Sequence, residues 1–126
     1  MCRVLIIEDS SVNMLLEAAV LSRSGHKTFQ AKDAVDGVRM AQEVRPDVIL
    51  MDLGLPQLDG FAATRILKGD PATKDIPIIA VTASDTRADK EQAAHDGFDG
   101  YVTKPITPRE LMAEIETVSR KKPLDF

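Results

Sequence analysis

Short apolar runs alternate with longer amphipathic stretches along this chain. The runs are rich in β-branched residues and too short for typical helices, so they predict strands. The predicted strands cover residues 3–7, 27–31, 47–51, 76–81 and 100–103. Most of these runs are continuously apolar, which is typical of strands that are buried on both faces of a parallel sheet.

The gaps between the predicted strands show the periodicity of helices. Gly25 is predicted to end the first helix, and Asp59 to cap the third. The second, third and fourth helices cover about residues 34–44, 59–69 and 86–97, and the fifth begins at a capping box over residues 107–110. The inward-facing residues predicted for the first and third helices are Met14, Leu15, Ala18, Leu21, Phe61, Ala62, Ile66 and Leu67.

Strands that alternate with helices predict an α/β fold. Five such units give a doubly wound, five-stranded parallel sheet, (βα)5, with right-handed crossovers and helices on both faces. Ligands of doubly wound sheets bind beyond the carboxyl ends of the strands, where the strand order reverses. The residue that follows each predicted strand is therefore the first place to look for chemistry.

The length of 126 residues fits one domain, and the composition excludes several classes of protein. A single cysteine, Cys2, excludes an intrachain disulfide, and no apolar run approaches the ~20 residues of a membrane span. The net charge of −4, without a basic stripe, argues against direct nucleic-acid binding. We expect a cytoplasmic protein with no membrane association.

Charged and hydroxyl side chains follow four of the five predicted strands. Glu8 and Asp9 come after the first strand, Asp52 after the third, Thr82 after the fourth and Lys104 after the fifth. Parallel strands end at the same edge of a sheet, so we expect these groups to share one cleft. A single acid at a strand end is ordinarily a loop residue, but this succession of groups indicates a site.

Three carboxylates and one lysine in one cleft leave an excess of negative charge. Such an oxygen-rich set suits Mg²⁺, which takes one or two carboxylates and commonly bridges to phosphoryl oxygens. Asp9 and Asp52 are the predicted direct ligands, with Glu8 acting through water. A metal and a lysine beside an aspartate suit phosphoryl transfer onto that aspartate. Asp47, at the start of the third strand, should lie at the opposite edge, roughly 16 Å away.

Four segments together resemble the receiver domain of two-component response regulators. They match the family pattern in order, spacing and strand context, and the resemblance covers about residues 2–120. It implies a CheY-like, flavodoxin-like strand order of 2-1-3-4-5, and it is strongest to stand-alone receivers of the DivK type. The segments that carry it are VLIIED at 4–9, DVILMDLGLPQLDG at 47–60, IIAVTA at 78–83 and YVTKP at 101–105.

The resemblance implies roles for the acids at the cleft. Asp52 would be the phosphoacceptor, taking a phosphoryl group from a phosphohistidine of a sensor histidine kinase or a histidine phosphotransfer protein. Glu8 and Asp9 would hold Mg²⁺ together with Asp52 and the backbone carbonyl of Gly54. Glu8 replaces the commoner aspartate of the family. Gly54 has no side chain where many receivers carry one, at a position that influences the lifetime of the aspartyl phosphate.

The resemblance also implies a conformational switch. Thr82 would move to bond a phosphoryl oxygen, and the Ala83 backbone amide and the Lys104 ammonium would bind the phosphoryl group with it. Tyr101 would turn inward when Thr82 moves, and so alter a surface that binds a downstream protein. The bond between Lys104 and Pro105 is expected to be cis, as is usual in receivers.

The expected organisation is one receiver domain over residues 1–122 with a short tail at 123–126, acting as a monomer or weak homodimer. We expect a stand-alone regulator that catalyses only its own phosphorylation and dephosphorylation. A receiver excised from a hybrid histidine kinase is the alternative within the family. Two further alternatives belong to other functional classes. One is a phosphatase or dehalogenase-like enzyme, which usually has a second acid where Gly54 stands. The other is a phosphate-independent pseudo-receiver that acts as a binding module.

Overall fold

The computed structural model describes residues 2–53, 60–84 and 86–121, and within these ranges five strands alternate with five helices. The predicted tail at 123–126 lies outside the described residues. Strands β1 to β5 span Arg3–Ile7, Lys27–Ala31, Val48–Asp52, Ile78–Thr82 and Gly100–Thr103. Helices α1 to α5 span Ser11–Arg23, Ala34–Val44, Gly60–Gly69, Arg87–His95 and Pro108–Lys121.

The sheet is parallel throughout these strands, and its strand order is β2-β1-β3-β4-β5. The predicted doubly wound α/β fold is therefore confirmed. The strand order reverses at β1, which pairs with β2 on one side and with β3 on the other. Because Ile7 is the register partner of Met51, the residues that follow β1 and β3 emerge side by side at the carboxyl edge.

Hydrophobic side chains cover both faces of the sheet, because successive strand residues point to opposite faces. In β1, Leu5 and Ile7 pack into the cluster on one face, whereas Val4 and Ile6 pack into the cluster on the other. Strand β3 is buried along its whole length. Burial on both faces explains why the strands occur in the sequence as continuous apolar runs.

The inner face of α1 differs from the prediction. Leu15, which was predicted to face inward, is 71% exposed. Leu15 lies about 100° around the helix from Met14, because each residue of an α-helix advances by that angle. Positions at i, i+3, i+4 and i+7 from Met14 share the inward face. The residues that α1 buries are Met14, Glu17, Ala18 and Leu21.

The inner face of α3 also differs from the prediction. Ile66, also predicted to face inward, is 46% exposed, and the fully buried positions are Gly60, Ala63, Thr64 and Leu67. Small residues let this helix lie close to the sheet, and a Cβ atom on Gly60 would lie 2.9 Å from the Asp52 carbonyl oxygen. Asp59, the predicted cap of α3, lies outside the described residues.

Polar side chains cap the beginnings of several helices. Ser10, Asp33 and Thr86 accept hydrogen bonds from backbone amides in the first turns of α1, α2 and α4. Thr107 Oγ1 accepts one from the Glu110 amide at 3.3 Å, so the predicted start of α5 is confirmed. Among the helices in the described ranges, none is long and apolar enough to cross a membrane.

Replacing Leu50 with alanine should destabilise the fold strongly, because Leu50 is fully buried on the central strand β3. Deletion of a buried leucine side chain costs about 2–5 kcal/mol of unfolding free energy. Leu15→Ala is the matched control, and this exposed position should change stability by less than about 0.5 kcal/mol. Urea unfolding measures both variants, and equal losses would contradict the different burial of the two leucines.

Candidate functional site

The carboxyl ends of four strands bring the predicted site residues to one edge of the sheet. Asp52 ends β3, and Thr82 ends the neighbouring strand β4. Glu8 and Asp9 directly follow β1, which borders β3 on its other side. Lys104 follows β5, and its backbone amide donates to the Thr82 carbonyl oxygen at 2.7 Å. The topology therefore gathers these groups as the sequence predicts.

Three carboxylates form a compact cluster at this edge. Glu8, Asp9 and Asp52 each offer one oxygen atom, and these atoms all lie within 4.8 Å of one another. Glu8 and Asp52 are buried, whereas Asp9 is exposed. The buried Glu8 Oε2 atom has no hydrogen-bond partner among the described residues. An oxygen-only cluster with an unsatisfied buried oxygen fits a hard cation such as Mg²⁺.

The Lys104 ammonium partly offsets the charge of this cluster. Its Nζ atom lies 3.4 Å from Asp52 Oδ1 and 3.6 Å from Glu8 Oε1. Burial lowers the pKa of Lys104, but the negative charges of Asp52 and Glu8 outweigh burial and raise the pKa above its ordinary value. Lys104 therefore stays protonated in the neutral range and can hold an anionic group beside Asp52.

The charge of Glu8 is disfavoured in this cleft. Burial raises the pKa of Glu8 to about 7, and the adjacent Asp52 carboxylate contributes to the rise. The Asn13 amide opposes the rise, since Asn13 Nδ2 donates to Glu8 Oε1 at 3.0 Å. Asn13 is not among the residues predicted from the sequence, because it does not lie at a strand end. The available signal was its position in the first turn of the helix that follows Glu8 and Asp9.

Glu17, a buried carboxyl group on the inner face of α1, is also not among the residues predicted from the sequence. Burial raises the pKa of Glu17 to about 8; the charge of Glu8 adds to the rise, and the charge of Lys104 opposes it. An acid spaced three residues from Met14 is a signal of this position. That signal can be used only when the inner face of α1 is assigned correctly. The prediction that Leu15 faces inward was wrong, so the assigned face was too wide to single out Glu17.

A series of hydrogen bonds links the cleft to helix α4. Thr82 Oγ1 accepts from the Ser84 amide at 3.2 Å, and the Tyr101 hydroxyl donates to the Ser84 carbonyl oxygen at 2.7 Å. The Ser84 hydroxyl donates to the carboxylate of Asp89, in the first turn of α4. Thr82, Ser84 and Tyr101 also line a cavity of about 200 Å³. These contacts connect Thr82 with Tyr101 and with the first turn of α4.

The structure also locates other predicted residues. Asp47 lies at the opposite edge of the sheet, as predicted, where its Oδ2 atom accepts from the Arg3 backbone amide at 2.8 Å. The peptide bond between Lys104 and Pro105 is cis. Ala83 directly follows β4. Gly54, whose carbonyl the resemblance assigns to a metal, lies outside the described residues.

Comparison with known proteins points to one family. The family profile described as response regulator receiver domain matches residues 4–116. The chain is 41% identical over 118 residues to protein PilH of Pseudomonas aeruginosa, covering 94% of this chain and 98% of PilH. It is 36% identical over 114 residues to the polar-differentiation response regulator DivK of Brucella anthropi, covering 90% of this chain and 93% of DivK.

Solved structures show the same relationship. The receiver domain of a sensor histidine kinase from Pseudomonas aeruginosa superposes with a TM-score of 0.86 at 34% sequence identity. The match covers 94% of this chain and 98% of that domain, and the latter structure has a magnesium ion coordinated in its active-site cleft. The similarity therefore extends over nearly the whole length of both chains.

Metal-free protein should lose stability as the pH rises from 5 to 8. The pKa of Glu8 is about 7 in the folded chain and near 4.5 when the group is unperturbed. The folded state therefore binds more protons than the unfolded state between these values, and stability falls as Glu8 ionises. For Glu8 alone the loss is on the order of 3 kcal/mol, measurable by urea unfolding in the presence of EDTA.

Two comparisons isolate the contribution of Glu8. Glu8→Gln cannot ionise and should reduce the pH dependence to the part that the buried Glu17 contributes, whereas Glu43→Gln, at an exposed position on α2, should follow the wild type. Added Mg²⁺ should restore stability at pH 8, because a cation that binds only the folded state stabilises it. If the stability of the metal-free wild type rises with pH instead, the pKa of Glu8 is not raised by burial.

Proposed function

The chain belongs to the response regulator receiver domain family of two-component signalling, and on that basis we propose that it accepts a phosphoryl group on Asp52. The donor would be a phosphohistidine of a sensor histidine kinase or of a histidine phosphotransfer protein. The observation that carries the proposal is the environment of Asp52. This carboxylate is buried at the end of β3, with the Lys104 ammonium 3.4 Å away and two further acids in the same cluster.

The proposed reaction is a displacement at phosphorus. An Asp52 carboxylate oxygen attacks, so an O–P bond forms while the P–N bond of the phosphohistidine breaks and its electron pair stays with the imidazole. Catalysis of such transfers depends on positioning and charge neutralisation. Lys104 contributes to both, since a small movement takes its ammonium from the Asp52 carboxylate to the incoming phosphoryl oxygens.

Glu8, Asp9 and Asp52 are the described residues that would hold Mg²⁺, and the family resemblance adds the Gly54 carbonyl. Bound Mg²⁺ supplies charge neutralisation for the carboxylates and for the phosphoryl oxygens. The hard-oxygen donor set and the unsatisfied Glu8 Oε2 atom support this assignment. The magnesium ion in the similar sensor-kinase receiver supports it further.

A conformational switch is part of the same proposal. Phosphorylation adds nearly two negative charges and new acceptor oxygens at Asp52. The Thr82 hydroxyl and the Ala83 amide lie at the end of the adjacent strand and would bond a phosphoryl oxygen. When Thr82 turns toward that oxygen, its bond with the Ser84 amide is lost, and the carbonyl that anchors Tyr101 can move. The surface formed by α4, β5 and α5 then changes for a downstream protein.

The unit would act through proteins, as a monomer or weak homodimer in the cytoplasm, without binding nucleic acid or a membrane directly. The net charge of −4 supports the exclusion of nucleic acid. Its chemistry would be limited to its own phosphorylation and dephosphorylation. A phosphatase would instead turn over an added phosphoester repeatedly, so the stoichiometry of labelling distinguishes the two functions.

Incubation with acetyl phosphate and Mg²⁺ should add one phosphoryl group to the wild-type chain and none to Asp52→Asn. Asp47→Asn is the matched control, because it changes an aspartate near the other end of β3 and should be labelled like the wild type. Intact-protein mass spectrometry with and without Mg²⁺ measures the addition. Wild-type labelling of Asp52→Asn would refute the proposed acceptor, and an unlabelled wild type would favour a phosphate-independent binding module.

Intrinsic fluorescence should report the proposed switch, because the chain contains one tyrosine, Tyr101, and no tryptophan. Phosphorylation of the wild type should change the Tyr101 emission as its bond to the Ser84 carbonyl is altered. Thr82→Ala should still be phosphorylated but should show a much smaller change, and Thr82→Ser, which keeps the hydroxyl, should recover it. Equal changes in the wild type and Thr82→Ala would show that Thr82 does not transmit the signal to Tyr101.

A further inference from the structure

Glu17 occupies an unusual place for a carboxyl group. It lies on the inner face of α1 and is only 3% exposed. Together with Lys104 it lines a cavity of about 100 Å³ that is otherwise mostly apolar, with Pro105 and Ile106 among its walls. Its Oε2 atom is buried and has no hydrogen-bond partner among the described residues. An apolar side chain would fill this position with less loss of solvation, so the acid calls for a functional explanation.

The ion pairs that hold the Lys104 ammonium in the cleft are long. Its Nζ atom lies 3.4 Å from the Asp52 carboxylate and 3.6 Å from the Glu8 carboxylate. Well-formed hydrogen bonds between an ammonium and a carboxylate are shorter, at about 2.7–2.9 Å. The long, flexible side chain of a lysine can therefore redistribute between acids on different sides of it.

We propose that Glu17 is a positioning residue for phosphoryl transfer, which offers the Lys104 ammonium a second carboxylate across this cavity and so limits how much of the time Lys104 stays beside Asp52. The inference rests on the proposed function, because it concerns the lysine that would bind the phosphoryl group. Glu17 itself touches neither Asp52 nor the phosphoryl group in this role. It acts only through Lys104.

The charges around Glu17 determine when it competes for Lys104. The groups that act on it are Glu8 after β1, Asp52 on β3 and Lys104 after β5. Burial and the acidic neighbours raise the pKa of Glu17 to about 8, so near neutrality it carries a proton and attracts Lys104 weakly. Above this pH it ionises and attracts Lys104 strongly, while Lys104 remains protonated because its own pKa is raised.

The test compares the wild type with Glu17→Gln, which resembles the protonated acid but cannot ionise. The rate of labelling by acetyl phosphate is followed by intact mass at saturating Mg²⁺ between pH 6.5 and pH 9. The ratio of the Glu17→Gln rate to the wild-type rate should rise across this range by about fivefold, since an ion pair of ordinary strength shifts an equilibrium by such a factor. A ratio that stays constant with pH would overturn the proposal.

Controls separate a positioning role from a structural one. Glu43→Gln removes an exposed carboxylate of α2 and should follow the wild type at every pH. In a Lys104→Gln background, Glu17→Gln should no longer change the pH profile, because the group through which it acts is gone. A pH effect that persists without Lys104 would refute the proposed route. Glu17→Leu provides a second variant that cannot ionise and that suits the buried site if the glutamine variant folds poorly.

A second readout does not depend on phosphorylation. At pH 9, the NMR signal of the Lys104 Nζ nitrogen should differ between the wild type and Glu17→Gln, because the variant lacks the carboxylate that shares a cavity with Lys104. Identical Lys104 Nζ signals in the two chains would count against the proposal. A wild-type chain that is not labelled at pH 7 would refute the proposed function itself, and this outcome is distinct from labelling that is normal but insensitive to Glu17.

Discussion

Repulsion between carboxylates that share one cleft is the constraint on which the rest of this structure depends. Glu8, Asp9 and Asp52 come within 4.8 Å of one another through one oxygen each, and two of the three are buried. Like charges in a partly buried site raise each other's free energy unless a cation approaches. Burial first, and then the adjacent Asp52, raise the pKa of Glu8, whereas the charges of Asp52 and Glu8 raise the pKa of Lys104 against the opposing effect of burial. A cleft in this condition responds strongly to any cation that enters it.

The parallel sheet holds the carboxylates in place against this repulsion. β1 and β3 are neighbours, and their apolar residues pack into the core on both faces, so the ends of these strands cannot separate without disrupting that core. Acids carried only by mobile loops would relax by moving apart. The segment after β4 is different, because its hydrogen bonds to Tyr101 and α4 are at half-buried or exposed positions. The ends of β1 and β3 thus hold the carboxylates in place, whereas the polar segment after β4 can change its contacts more easily.

The strand ends could be predicted from the sequence, but the contribution of α1 to the site could not. Continuous apolar runs define the strands and the residues that follow them, so Glu8, Asp52 and Lys104 are placed at one edge by topology alone. Apolar residues occur around most of α1, and Leu15 and Leu16 are exposed although they are hydrophobic. The inner face of such a helix is decided by tertiary packing and not by its own pattern. Glu17 on the inner face of α1 is therefore recognised only in the folded chain, whereas the sequence signal of Asn13 is its position in the first turn of α1.

Asp47 and Asp52 show how position decides the chemistry of one residue type. Asp47 accepts a hydrogen bond from the Arg3 backbone amide at 2.8 Å, so its carboxylate helps to hold the amino edge of the sheet together. Asp52 instead faces other acids and an ammonium that is only loosely bound. If Asp52 accepts a phosphoryl group as proposed, its own charge is consumed in the acyl phosphate, and the new charge lies further out, on oxygens that Lys104 and Thr82 can reach. In the role proposed for it, Glu17 then has a physical use, because above its raised pKa it gives the Lys104 ammonium a second carboxylate at the shared cavity.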